Sequence, residues 1–300
     1  MNSTLDVASN LAQAHALILE AVERQADLVV LPEMFVSLGD PPEGVSSDSA
    51  LARAQLPTDY WVETLQEWAI EHEIYLVGGS LPIRASEKSK KAFNRSYVFD
   101  PEGNELGAYD KIHLFDAKPV GPNGVPSTYE ESKEFSPGDL PFIFETPVGK
   151  LGIAVCYDLR FPELFKWYAK QGVLGVVLPS AFTAKTGSMH WDVLTRARAI
   201  ENGIYLFAAN QWGIHSQVAG HVRESYGYSR VVDPMGRVLS ERPKGIGIAF
   251  ADLDPVRVEA AQEQIPTGLN SRFEILLPTK KSVKTTHSRS AKKGLKKPGK

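Results

Sequence analysis

Cysteine is nearly absent: Cys156 is the only one in 300 residues, so no disulfide can form within the chain and a reducing compartment, the cytoplasm, is expected. Long apolar runs are also missing. No stretch of 18 apolar residues occurs and no basic-then-apolar leader opens the chain, which disfavours membrane association and secretion. There is no Cys-x-x-Cys pair, no His-Glu-x-x-His and no Gly-rich phosphate loop, since Gly121-Pro122-Asn123-Gly124 is a turn with no Gly-Lys-Ser after it. No metal and no cofactor is therefore expected. Acidic residues are lacking in one region only. Residues 279–300 hold nine of the 33 Lys and Arg and none of the 36 Asp and Glu, leaving residues 1–278 with 24 basic against 36 acidic side chains, a net of -12. A body this acidic is a poor nucleic-acid binder. The tail has almost nothing to bury beyond Val283 and Leu295, and it reads as a disordered, solvating appendage rather than an electrostatic tether.

What is present is an α/β pattern of short apolar runs between amphipathic stretches. Helical stripes run from about Ala8 to Val22, Tyr60 to Ile70, Pro162 to Ala169 and His190 to Ile200; strand-like runs are Leu28 to Leu31, Tyr75 to Val77, Leu151 to Val155, Val176 to Leu178 and Tyr205 to Ala208. The two halves share phrases in the same order. Val29-Val30-Leu31-Pro32-Glu33-Met34-Phe35 returns as Val176-Val177-Leu178-Pro179-Ser180-Ala181-Phe182, and Tyr75-Leu76 as Tyr205-Leu206. Ser96-x-Val98-x-Asp100-Pro101-x-Gly103-x-x-Leu106 recurs as Ser229-x-Val231-x-Asp233-Pro234-x-Gly236-x-x-Leu239, each time two strands around an Asp-Pro-x-Gly turn. A duplicated unit predicts two sheets packed face to face with helices outside, a four-layer α-β-β-α sandwich. The second unit opens with a strand that the first lacks, so a first strand is expected upstream of Met1.

Three residues could carry chemistry. Cys156 closes the run Leu151 to Val155 and is followed by a polar turn; strand ends are where ligands bind in such sheets, and a helix N-terminus after the turn would stabilise a thiolate. Position alone does not separate a nucleophile from a buried, inert thiol. Glu33 also follows a strand, and its duplicate is Ser180, so the fold does not require the acid, whose burial must be offset by some use. Lys111 lies in Tyr109 to Asp116, where apolar and charged residues alternate at strand period; it is either one more solvated lysine or a cation that lowers the thiol pKa and receives oxyanion charge. A Cys–His pair with His113 or His190 stays open.

Leu31-Pro32-Glu33-Met34-Phe35, Tyr109-Asp110-Lys111-Ile112-His113-Leu114-Phe115-Asp116 and Gly152-Ile153-Ala154-Val155-Cys156-Tyr157-Asp158-Leu159-Arg160-Phe161-Pro162-Glu163, in that order, resemble the three signatures of the nitrilase superfamily of carbon–nitrogen hydrolases. The resemblance covers residues 1 to about 266 and implies the same duplicated sandwich, a hydrolase domain at 1–278 whose first strand is missing, and subunits paired as a homodimer. It implies Glu33 as general base and acid, Lys111 as oxyanion stabiliser, Cys156 as nucleophile and Glu131, matched through Ser132 in preference to Glu130, as a further catalytic glutamate. The Tyr157 N–H would complete the oxyanion hole, with Arg160 for a substrate carboxylate and Phe182 for packing. Arg160-Phe161-Pro162-Glu163 with Pro179-Ser180-Ala181-Phe182 is more similar to the deaminated-glutathione amidases than to the ω-amidases, which tend to have Ala at the Pro162 position and Gly at the Ser180 position. The implied partner is a small amide bearing a carboxylate: deaminated glutathione first, α-ketoglutaramate second. A hypothesis of another class is a non-catalytic scaffold that uses the basic tail.

Overall fold

The structure, a computed structural model, describes residues 1–40, 54, 60–120, 128–218 and 221–277; the basic tail and the Gly121–Gly124 turn lie outside the described residues. Local signals start the helices. Asp6 caps α1 (Val7–Glu23) by accepting from the Ser9 N–H at 3.2 Å, one of the donors that a helix start leaves free. α1 buries Leu11, Ala14, Leu17, Ile18 and Ala21, and α2 (Tyr60–His72) buries Trp61, Leu65, Trp68 and Ala69, in each case one face at helical spacing. α3 (Pro162–Lys170) opens on proline, whose missing N–H is no loss there. α4 (Ala184–Asn202) ends at Gly203 with φ +60, and it begins six residues before the expected His190. That first turn carries no apolar stripe; it is held by Gly187, where a Cβ would meet the Tyr226 side chain at 2.4 Å. α5 (Pro255–Gln264) and α6 (Thr267–Asn270) follow the sheets.

The first half supplies β1 (Leu28–Val30), β2 (Tyr75–Val77), β3 (Leu81–Ile83), β4 (Phe93–Phe99) and β5 (Glu105–Asp110), then the short pair β6 (Asp116–Ala117) and β7 (Tyr129–Glu130). The second half supplies β8 (Ile143–Thr146), β9 (Gly149–Ile153), β10 (Gly175–Ser180), β11 (Tyr205–Asn210), the hairpin β12 (Trp212–Val218) and β13 (His221–Tyr226), β14 (Ser229–Val232) and β15 (Val238–Arg242). One sheet runs β1-β2-β4-β3 with β5 also on β4, the other β15-β14-β11-β10-β9-β8. The duplication extends to register. Val29 pairs with Leu76 as Val176 pairs with Leu206, and Leu76 with Phe99 as Leu206 with Val232. Even the bulge between Val98 and Phe99 recurs between Val231 and Val232.

Three clusters mark four layers. α1 and α2 pack Leu17, Ile18, Leu65 and Trp68 against Leu76, Leu81 and Phe99 of the first sheet. Val77, Val98 and Tyr109 meet Leu151, Ile153 and Val177 between the sheets. Phe165, Tyr168, Trp191 and Ala199 of α3 and α4 cover Val176, Leu178 and Leu206 on the far side. The result is an α-β-β-α sandwich, and each fully buried Leu, Ile or Phe in it contributes about 1.5–3 kcal/mol. Among the described residues β1 pairs only with β2, whereas its counterpart β10 is flanked by both β9 and β11. A groove of about 620 Å³ runs along that free edge, lined by Leu28, Val30, Phe207, Ile248 and Phe250 beside Met1. No helix among the described residues is long and apolar enough to cross a membrane.

Candidate active site

Three chain turns deliver the groups singled out in the sequence. Glu33 follows β1 in a turn where Met34 takes φ +53. Lys111 is the first residue after β5: the alternating pattern suggests a strand through Asp116, but the ladder stops at Asp110. There the Lys111 N–H donates to Asn94 O and its carbonyl accepts from the Gly138 N–H, so the side chain turns inward and is 2% exposed instead of lying on a solvated strand face. Cys156 lies three residues beyond β9 and opens a 3-10 turn, Cys156–Arg160, with φ +45. The helix itself starts only at Pro162, so the thiol sits at a strained elbow and not on a helix N-terminus. A non-glycine residue there costs about 1–3 kcal/mol, which surrounding contacts must offset. Asp158 supplies them. Its Oδ2 accepts from the Val155 N–H and the Tyr109 hydroxyl, both at 2.8 Å, and its Oδ1 accepts from the His113 N–H at 3.0 Å and pairs with His113 Nδ1 at 2.7 Å.

The acids and the ammonium form one cluster. Lys111 Nζ lies 2.9 Å from Glu33 Oε1 and 3.1 and 2.9 Å from the two carboxylate oxygens of Glu131. Asn94 Nδ2 donates to Glu33 Oε1 at 2.9 Å and to Glu131 Oε1 at 3.0 Å; with two acceptors facing it, the amide nitrogen must point this way. The Ala181 N–H donates to Glu33 Oε2 at 2.8 Å, and the Phe115 N–H to Glu131 Oε2 at 2.6 Å. Glu130 stands outside, paired with Lys133 at the surface.

Burial pushes the Glu33 carboxyl up, but the Lys111 charge and hydrogen bonds from Lys111, Cys156 and Asn94 outweigh it and hold the group below the usual carboxylate range. Burial pushes Lys111 down, yet Glu131, Glu33 and Cys156 keep it well above the ordinary lysine value. Glu33 and Glu131 are thus the acceptors of a fixed ammonium. The thiol behaves contrary to expectation. Burial and the Glu33 charge raise Cys156 well above a free cysteine, and Lys111 opposes this without winning. The resting pair is a thiol beside a carboxylate, an arrangement in which the base takes the proton as the sulfur attacks.

On the other side of the elbow, the Arg160 guanidinium lies 4.8 Å over the Phe182 ring and 5.9 Å from that of Tyr157, with Nη1 3.0 Å from His190 Nδ1. Burial lowers the pKa of both Arg160 and His190, and the Arg160 charge adds to the effect on the histidine. The Tyr157 ring packs against Phe115 and Phe161 at 4.9 and 5.3 Å. Neither histidine is placed for a Cys–His pair: His113 is bound to Asp158 and stacked on Phe161 at 3.6 Å, and His190 is bound to Arg160. The structure therefore brings Glu33, Lys111, Glu131 and Cys156 together, with Tyr157 and Arg160 in the thiol turn itself and Phe182 against the Arg160 guanidinium. Two residues were missed from sequence. Asn94 carries a signal, because its duplicate position is Gly227 and a buried amide there is as dispensable to the fold as Glu33. Asp158 carries none, since an acid five residues after a strand is ordinarily a surface group.

A family model described as carbon–nitrogen hydrolase matches residues 1–263. The chain is 35% identical over 269 residues to the deaminated glutathione amidase of Synechocystis sp., covering 89% of this chain and 94% of that one. It is 38% identical over 266 residues to the omega-amidase NIT2 of Mus musculus, covering 89% and 90%. Among solved structures it is similar to the C. elegans NitFhit protein, with a TM-score of 0.78 and 35% identity over 91% of this chain, and it spans 63% of the length of that protein. With the sandwich and the match along nearly the whole domain, the chain belongs to the carbon–nitrogen hydrolase family and is an enzyme of the nitrilase superfamily.

Proposed function

We propose that this enzyme hydrolyses the linear amide of deaminated glutathione, releasing 2-oxoglutarate and cysteinylglycine through a thioester on Cys156. Glu33 takes the thiol proton as sulfur attacks the amide carbonyl. Lys111, whose other N–H groups are committed to Glu33 and Glu131, and the Tyr157 N–H receive the oxyanion. The tetrahedral adduct collapses as Glu33 hands the proton to the departing amine. Water, deprotonated by the same carboxylate, then cleaves the thioester; Glu33 returns that proton to sulfur, and the acyl group leaves as a carboxylic acid that gives up its own proton to solvent. Glu131 and Asn94 hold the ammonium and the base in place, and Phe182 backs Arg160.

The observation that carries the substrate class is Arg160, a partly desolvated guanidinium beside the thiol turn, suited to a bidentate pair with the carboxylate of an α-keto acid. Likeness to the Synechocystis enzyme supports the dipeptide leaving group; likeness to the mouse protein supports α-ketoglutaramate as the second reading, with ammonia leaving. Steady-state turnover of both substrates, with Cys156→Ala as the blank, tests the choice: a larger kcat/KM for deaminated glutathione is expected, and preference for α-ketoglutaramate would reverse the order. A free Cys156 fits a reducing compartment, the cytoplasm. We also assign a homodimer, supported by the apolar face of α4, where Met189 and Val193 are 61% and 64% exposed one turn apart; a native mass of one chain would refute it.

A further inference from the structure

α1 and α2 lie on the outer face of the first sheet and carry none of the residues of the thiol site. His15 and His72, 57 residues apart in the chain, meet between them with Nε2 to Nε2 at 2.9 Å. Glu71 Oε2 lies 3.9 Å from each of these two nitrogens. Among the described residues this is the one group of three His, Cys, Asp or Glu side chains whose donor atoms all lie within 4.8 Å of one another. Its shape is informative. The point equidistant from the three atoms lies about 2.1 Å from each, which is the length of a Zn–N or Zn–O bond. Edges of 2.9, 3.9 and 3.9 Å need only small side-chain adjustments to reach the roughly 3.3 Å separation between ligand atoms around a tetrahedral zinc.

The group is also partly held before any ion arrives. The His15 ring lies flat on Trp68, with centroids 5.2 Å apart and planes 2° from parallel. The His72 side chain is nearly buried, while Glu71 is exposed and free to swing the short distance required. In the present arrangement one imidazole donates to the other, and a cation would take both nitrogen lone pairs at once. We propose that His15, Glu71 and His72 form a binding site for a divalent transition metal of the Zn²⁺ class, which clips α1 to α2 and leaves a fourth position on the solvent side for water. Two imidazoles and one carboxylate select such ions over Mg²⁺ and Ca²⁺, which take oxygen ligands.

The test uses the full chain carrying Cys156→Ala, so that the thiol cannot compete for metal. ZnCl₂ is titrated by calorimetry, and CoCl₂ is followed through the visible absorption of a tetrahedral Co²⁺ centre. One equivalent of Zn²⁺ and a tetrahedral Co²⁺ spectrum are expected. His15→Ala and, independently, Glu71→Gln should weaken binding by more than the roughly 10- to 100-fold that follows loss of a partner behind a ligand. Both positions are accessible from solvent, and circular dichroism checks that each variant keeps its fold. Absence of Zn²⁺ binding, unchanged affinity in both variants, or equal affinity for Mg²⁺ would overturn the assignment.

Discussion

Glu131→Gln removes one charge from the cluster without changing its shape. Every neighbour of the Glu131 carboxylate is a donor: Lys111 Nζ on both oxygens, Asn94 Nδ2 and the Phe115 N–H. A glutamine keeps one acceptor and turns an NH₂ towards two of these donors. Each donor left unpaired costs about 1–3 kcal/mol, and breaking a buried ion pair costs about 3–5 kcal/mol. If about 3 kcal/mol of this falls on the placement of Lys111 in the transition state, turnover drops roughly 100-fold at 1.36 kcal/mol per decade. Because Glu131 touches the ammonium and not the substrate in the proposed reaction, kcat should fall about 10²- to 10³-fold while KM moves by only a few-fold. Steady-state kinetics on deaminated glutathione measure the split. The neighbouring Glu130→Gln is the control: its exposed pair with Lys133 is worth about 0–1 kcal/mol, and its kcat should stay at the starting level. A folded Glu131→Gln protein with kcat within about threefold of the parent, too small a loss for a displaced oxyanion donor, would refute the reasoning, as would an equal loss in Glu130→Gln.

Three further outcomes are expected. Asp158→Ala leaves the Val155 N–H, the Tyr109 hydroxyl and the His113 N–H without their acceptor, so urea unfolding should show a loss of about 3–5 kcal/mol and kcat should fall as the Cys156 turn relaxes; unchanged stability contradicts this. Glu33 lies below its ordinary range because Lys111 and its hydrogen bonds overcome burial, so kcat/KM should hold level from neutral pH through the usual carboxylate range and fall only at lower pH; an acid limb near neutrality contradicts it. By linkage, the stability contributed by Glu33 is present at neutral pH and is lost as pH falls through its folded value. Gly103 and Gly236, at φ +80 and +81, end matching turns in which a Cβ would meet Ile70 and Ile200 side-chain carbons at 2.5 Å. Alanine at either should cost at least about 1–2 kcal/mol in urea melts, and a neutral result at one alone would show that the two turns are not equivalent.

Periodicity located α1, α2 and α3 because each presents a single apolar face, while β1, β2, β9, β10 and β11 showed as continuous apolar runs, β10 being buried on both faces. The repeated Asp-Pro-x-Gly phrases likewise carried the register of both hairpins, down to their bulges. Glu33 stood out since its counterpart is Ser180. The inward turn of Lys111 was hidden, because a strand pattern continues in the sequence for six residues after the ladder has stopped. The direction of the thiol shift was hidden for a related reason. Whether Lys111 or burial with Glu33 dominates at Cys156 depends on depth and distance, which no spacing encodes. The early start of α4 rests on Gly187 against Tyr226, a contact between distant segments.

The hydrogen bond from the Ala181 N–H to Glu33 joins the two echoed phrases to each other, so the proposed reaction centre lies on the seam of the duplication. Each repeat holds an incomplete set of tools. The first carries the acids and the ammonium; the second carries the sulfur, its strained elbow and the guanidinium. Severed in the connection between Ser136 and Phe142, the chain would give one fragment able to hold a proton but with nothing to attack, and another able to attack but with nowhere to send its proton. Turnover from mixed fragments would then report docking of the halves directly, with no background from either alone, and the obligatory partnership gives two similar repeats a reason to remain one polypeptide.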